Sequence, residues 1–226
     1  MPASLPLPGC RPFTQPYDRA ERVADAILHA AAGVLGITAV TFLLSAAGGL
    51  AGLQCASVWI YGIGLISVLA TSAAYNLWPL CATKLILRRF DQSAIYLFIA
   101  ASYTPFLALA DKGIAGRNVL IAIWAAALLG MLLKLSAPGK FERLSVLLCL
   151  ALGWSGMLNY EGVFGSLEPR ATSFIVASGA LYSAGVAFHL WDKLRFQNAI
   201  WHAFVVAAAG LQFFAVLDLV VATSAK

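Results

Sequence analysis

The stretch FQNAIWHAFVVAAAGLQFFAV, residues 196–216, contains no charged side chain and a single histidine. At 1.5 Å per residue a helix of this length crosses the roughly 30 Å hydrocarbon core of a bilayer. His202 follows Asn198 by four residues, so the two side chains lie on one face, one turn apart. A polar pair on an apolar span must look into protein or water, because lipid offers it no hydrogen-bond partner. The other polar groups in apolar spans are read by asking whether they can meet this pair.

The rest of the chain has the same solvent. Hydrophobic residues make up 61% of the 226, charged residues only 11%, and mean hydropathy is +0.84. A soluble domain carries about 25% charged residues. The net charge of +5 therefore points to membrane topology and not to nucleic acid. Cys10, Cys55, Cys81 and Cys149 have neither disulfide nor metal-ligand spacing and read as small apolar fillers or free thiols.

Residues 1–20 hold Pro2, Pro6, Pro8, Pro12 and Pro16, which preclude a helix there, and they read as a disordered cytosolic tail without a signal peptide. Residues 21–226 read as one membrane domain. No charge falls between Asp25 and Lys84, room for two spans with a break at AAGGLAG, residues 46–52. Further charge-free windows cover 92–110, 118–133, 144–160, 171–191 and 196–217. The expectation is an all-α bundle of seven transmembrane helices. Eleven basic residues fall on the side of the N-terminal tail and loops 2–3, 4–5 and 6–7, against four on the other side. The positive-inside rule then puts the N-terminus in the cytoplasm and the C-terminus outside.

Several polar groups share the depth of His202. Ser72 and Asn76 lie one turn apart at the end of helix 2, Asp91 opens helix 3, and Glu21, Asp25 and His29 form an i, i+4, i+8 stripe on helix 1. Each has an ordinary reading: Ser72 bonding a carbonyl one turn back, the asparagines as interhelical glue, Asp91 pairing with Arg88 and Arg89, Glu21 and Asp25 complementing the helix dipole. His189, beside Trp191, reads as interfacial. Their common depth on four helices favours a shared site.

These residues carry a family resemblance. ERVADAILHAAAG (21–33), TSAAYNLWP (71–79), FDQSAIYLFIAASYTPF (90–106), ALYSAGVAFHLWDKLRF (180–196) and NAIWHAFVV (198–206) resemble the hemolysin III proteins. These form the bacterial branch of the progestin and adipoQ receptor family, which includes the adiponectin receptors and is similar in motif to membrane ceramidases. The resemblance implies a bacterial inner-membrane protein with zinc between helices near the cytosolic face. It also implies zinc ligands at positions 76, 198 and 202, with Ser72 and Asp91 positioning the zinc-bound water. Only His202 of the three ligand positions is histidine here; the others are Asn76 and Asn198, and Gln212 replaces a further histidine. Amide oxygens are poor zinc partners, so the resemblance implies a degenerate zinc site that His29 could complete.

Three functions follow as expectations: a metal-dependent hydrolase of a lipid amide or ester, a non-enzymatic lipid sensor, and a pore-forming hemolysin. In the first, Asp91 takes a proton from water and Ser72 helps to stabilise the oxyanion. The spans lack a charged stripe for a pore, the seventh lacks a Schiff-base lysine, and the expected partner is membrane lipid.

Overall fold

The computed structural model describes residues 18–79, 81–109, 113–136, 142–159, 163–165, 167–191 and 193–225. Seven α-helices run through them: α1 (Arg19–Ala46), α2 (Gly52–Leu77), α3 (Ala82–Leu109), α4 (Gly113–Ser136), α5 (Glu142–Leu158), α6 (Pro169–His189) and α7 (Gln197–Ser224). Six are long and apolar enough to cross a membrane, while α5, at 17 residues, is shorter. The chain is a polytopic helical membrane protein. Large apolar side chains such as Val34, Ile37, Leu53, Ile63, Leu129 and Leu147 are exposed on its outside, as lipid-facing residues are. Residues 1–17, which include most of the proline-rich tail, lie outside the described residues.

Helix α1 starts where a capping box stops the chain from fraying. Asp18 Oδ1 accepts the Glu21 N–H, and Glu21 Oε2 accepts the Asp18 N–H, each at 2.8 Å. The α1–α2 break falls in the small-residue run, as a 3₁₀ turn over Ala47–Gly49. Gly52 opens α2 with φ +56°, a left-handed conformation that costs glycine little.

Two boundaries differ from the charge-window reading. Helix α3 begins at Ala82, so Asp91 lies more than two turns inside the helix and does not open it. Lys84, near the start of the helix, is tolerated because it has partners: its Nζ donates to the carbonyls of Asn76 (3.3 Å) and Trp78 (3.0 Å) at the end of α2. Helix α7 runs past Asp218 to Ser224, and Asp218 Oδ2 sits 3.1 Å from Arg170 Nε. A charge with a partner does not end a span.

Helix α3 is central, packing against α2 and α4 and reaching α5 and α7, while α7 lies against α6 and α1. Close approach is allowed by small residues: a Cβ on Gly64 would collide with Ala101, and one on Gly130 with the Tyr96 ring. One core cluster contains Leu43, Val58, Tyr61, Phe106, Val216 and Val220; a second joins α3 to α4 and α5 through Tyr96, Tyr103, Ile123 and Ala127. A cavity of about 940 Å³ lies among α1, α2, α3, α5, α6 and α7 and extends to Lys134 on α4.

Candidate functional site

The polar cluster forms where α1, α3 and α7 begin and α2 ends, here termed the N-terminal face. On α1 the buried positions are Asp25, His29, Ala32, Gly36 and Leu43. This stripe repeats at helical spacing, so Asp25 and His29 occupy the inward face that apolar residues take further along. His29 and His202 meet edge to face with ring centroids 4.5 Å apart.

The hydrogen bonds fix both ring tautomers. His29 Nδ1 lies 2.8 Å from the Asp25 carbonyl, and His202 Nδ1 lies 2.9 Å from the Asn198 carbonyl, each one turn back. A carbonyl can only accept, so each Nδ1 carries the hydrogen and each neutral ring presents a bare Nε2 lone pair. Both lone pairs aim at one atom: Ser72 Oγ is 3.3 Å from His29 Nε2 and 3.2 Å from His202 Nε2. A hydroxyl has one proton and can satisfy only one of them. Asn76 Nδ2 cannot relieve the shortage, because it donates to the Ser72 carbonyl (2.9 Å) and Oγ (3.4 Å).

Behind the rings, Asp25 Oδ1 lies 3.5 Å from both Nδ1 atoms and has no hydrogen-bond partner. Its other oxygen, Oδ2, accepts from Asn198 Nδ2 at 3.0 Å, and the same amide group reaches Asn76 Oδ1 at 3.0 Å. Asp91 approaches from α3 on the cavity wall, with the Ser72 hydroxyl, the His202 ring and the Arg88 guanidinium as its polar neighbours.

The structure therefore brings together Ser72, Asn76, Asp91, Asn198 and His202 on α2, α3 and α7. The two asparagines at implied ligand positions bond to each other, and the imidazole that joins His202 is His29. Donor atoms of Asp25, His29 and His202 lie within 4.8 Å of one another, a candidate metal-binding triad. Two features fit a divalent ion on the Nε2 side of the rings. An excess lone pair faces a single hydroxyl, and neutral imidazole nitrogen is a preferred zinc ligand. Asp25 stands on the Nδ1 side, where a carboxylate braces ligating histidines and raises their basicity. Its role was legible only in the continuation of Asp25 and His29 into Ala32 and Gly36; the helix-dipole reading passed over it.

Outside the spans, the site is fastened by a clamp. Glu21 Oε1 accepts the Phe196 N–H at 2.8 Å, and Asp18 Oδ2 pairs with Arg195 Nη2 at 3.0 Å. Phe196, the N-cap of α7, has φ +59°, a left-handed conformation unusual for a bulky residue. The Glu21 N–H, followed by Arg195, holds the Asp18 carboxyl below the usual carboxylate range.

This is a polytopic helical membrane protein with a buried histidine–carboxylate cluster opening on an internal cavity. The chain belongs to the haemolysin III-related family, whose model matches residues 19–213. It is 34% identical over 198 residues to the hemolysin-3 homolog of Bacillus subtilis (strain 168), covering 87% of this chain and 93% of that protein. It is 33% identical over 206 residues to hemolysin-3 of Bacillus cereus, covering 90% and 94%. The human monocyte to macrophage differentiation factor is 28% identical over 172 residues, covering 71% and 68%. No solved structure matches the chain significantly.

Proposed function

We propose that this protein is an integral-membrane hydrolase cleaving an amide or ester bond of a membrane lipid, with a divalent metal, zinc by donor type, at His29 and His202. The observation that carries the reading is the pair of Nε2 lone pairs aimed at one hydroxyl on the wall of a 940 Å³ cavity. A bound metal would supply carbonyl polarisation and an acidified water. The chain's own residues have separate tasks. The backbone carbonyls of Asp25 and Asn198 hold the rings in register, and the Asp25 carboxylate braces them. Asp91 accepts a proton from water, and the Ser72 hydroxyl donates to the oxyanion that develops on the scissile carbonyl. Apolar walls from Leu69, Phe98 and Val206 exclude bulk water and seat an acyl chain.

The same reading makes α5 a seventh span and puts the N-terminal face in the cytoplasm of a bacterial cell, on the inner membrane. It is supported by the eleven-to-four asymmetry of basic residues. Reporter fusions at Lys140 and at the C-terminus are expected on opposite sides.

A second reading, lipid sensing without turnover, draws on the Asn76–Asn198 contact, where the resemblance implies histidines. Metal analysis of detergent-purified protein, paired with release of fatty acid from N-acyl and O-acyl lipids, separates the two. Stoichiometric zinc and release that disappears in His202→Ala support the hydrolase. Stoichiometric metal without release from any lipid favours the sensor. Protein free of metal after metal-replete expression overturns the metal-centred reading.

A further inference from the structure

The cavity has a second polar end that the proposed chemistry does not use. Buried positions on α4 are Gly116, Ile123, Ala127, Gly130 and Lys134, one inward stripe whose last member is a lysine. Gly130, one turn before Lys134, abuts Tyr96 of α3, so this stripe faces the bundle interior and carries Lys134 there. Lys134 is 6% exposed and lines the cavity. Arg143, in the first turn of α5, lines it too, and so does Arg88 of α3. Tyr96 fastens that end of α5, its hydroxyl 2.9 Å from Ser145 Oγ and 3.1 Å from the Ser145 carbonyl. Among the described residues lining the cavity there are three such cations and one carboxylate, Asp91. Cations at the edge of a bilayer ordinarily snorkel outward to water. Here Lys134 is buried, Arg88 half-buried and Arg143 exposed, and all three line the chamber at the same face as the histidine cluster.

We propose that Lys134, Arg143 and Arg88 form a headgroup subsite for an anionic, phosphate-bearing lipid whose acyl chain fills the apolar cavity. The inference rests on the lipid-cavity reading above and specifies its ligand class. Guanidinium and ammonium groups suit phosphate oxygens, Arg as a planar fork and Lys as a point charge. A volume of about 940 Å³ stands near the top of the roughly 300–1,000 Å³ range of ligand pockets, enough for a chain as well as a headgroup. The cations stand on α3, α4 and α5, while the histidines stand on α1 and α7. A lipid headed at the first group therefore carries its polar linkage toward the second.

The test uses the full chain, delipidated in detergent, with bound lipid read by native mass spectrometry. Dioleoylphosphatidic acid is compared with dioleoylglycerol, which has the same chains and no phosphate. The phosphate lipid is expected to bind at least about tenfold more tightly, the worth of a charge-assisted hydrogen bond. Lys134→Gln and Arg143→Gln should reduce that preference to about twofold or less, Lys134→Arg should retain it, and binding of dioleoylglycerol should not change. Equal binding of both lipids overturns the headgroup subsite and leaves the lipid cavity standing, as does a preference that survives both glutamine variants. Failure of either lipid to bind overturns both readings. Displacement of the phosphate lipid by equimolar inorganic phosphate identifies free phosphate as the ligand and overturns the lipid assignment.

Discussion

The two ends of α1, α2 and α7 solve the same burial problem in opposite ways. At the far end, Leu43, Val58, Tyr61, Val216 and Val220 have no exposed surface and pack side chain against side chain. At the N-terminal face the same three helices enclose Asp25, His29, Ser72, Asn76, Asn198 and His202, joined by hydrogen bonds around open volume. The apolar end needs only volume to be conserved, and loosely specified residues can supply that. The polar end needs each donor matched to an acceptor; one Ser72 proton between two Nε2 atoms leaves one of them over, and Asp25 Oδ1 has no hydrogen-bond partner. The tight end anchors helices whose other ends must stay apart.

The largest test of that contrast removes an imidazole. Structural zinc held by four protein ligands in peptides is worth roughly 10–16 kcal/mol, about 2.5–4 kcal/mol per ligand, so loss of either imidazole in His29→Ala or His202→Ala should weaken zinc by about that share. Metal titration should show affinity falling more than about 100-fold in either variant, with thermal stability of the metal-free protein little changed. An unchanged affinity in His29→Ala would mean that α1 supplies no ligand. Next in size, Leu43→Ala at the packed end should cost about 2–5 kcal/mol by cavity formation. It should lower the melting temperature in detergent and leave zinc stoichiometry intact; loss of metal in this variant would show that the two ends are not separable.

Much of the fold was legible because its solvent is. Charge-free windows located seven helices, and the run at 46–52 located the α1–α2 break. The windows misjudged α3 and α7, since they treat every charge as a boundary, whereas Lys84 and Asp218 have partners that let their helices continue. Ser72, Asn76, Asp91, Asn198 and His202 were visible as residues at one depth. Asp25 shared that depth too, but it read as a helix-dipole carboxylate; only the continuation of its stripe through His29 into Ala32 and Gly36 marks it as turned inward. The cavity was also illegible, as it belongs to no single helix.

The smallest effect probes the clamp that ties the two histidine-bearing helices. Asp18→Ala removes an N-cap and the Arg195 partner and should be read as slightly earlier melting. The Asp18 carboxyl is held below its ordinary value of about 4. A depressed carboxyl contributes stability above its unfolded value and loses it as pH falls through the folded one, so melting curves of wild type and Asp18→Ala should converge only below about pH 4. Convergence already at pH 6 would show that the Asp18 carboxylate does not hold the clamp.

That clamp also has a consequence in time. Glu21 and Phe196 are 175 positions apart, and at roughly 5–20 residues per second the ribosome needs about 10–35 s to go from one to the other. For that interval α1 stands in the membrane with an inward-facing aspartate and histidine and no α7 to receive them. A nascent chain cut short before the last helix therefore leaves the Asp25 carboxylate without Asn198 and the His29 ring without His202.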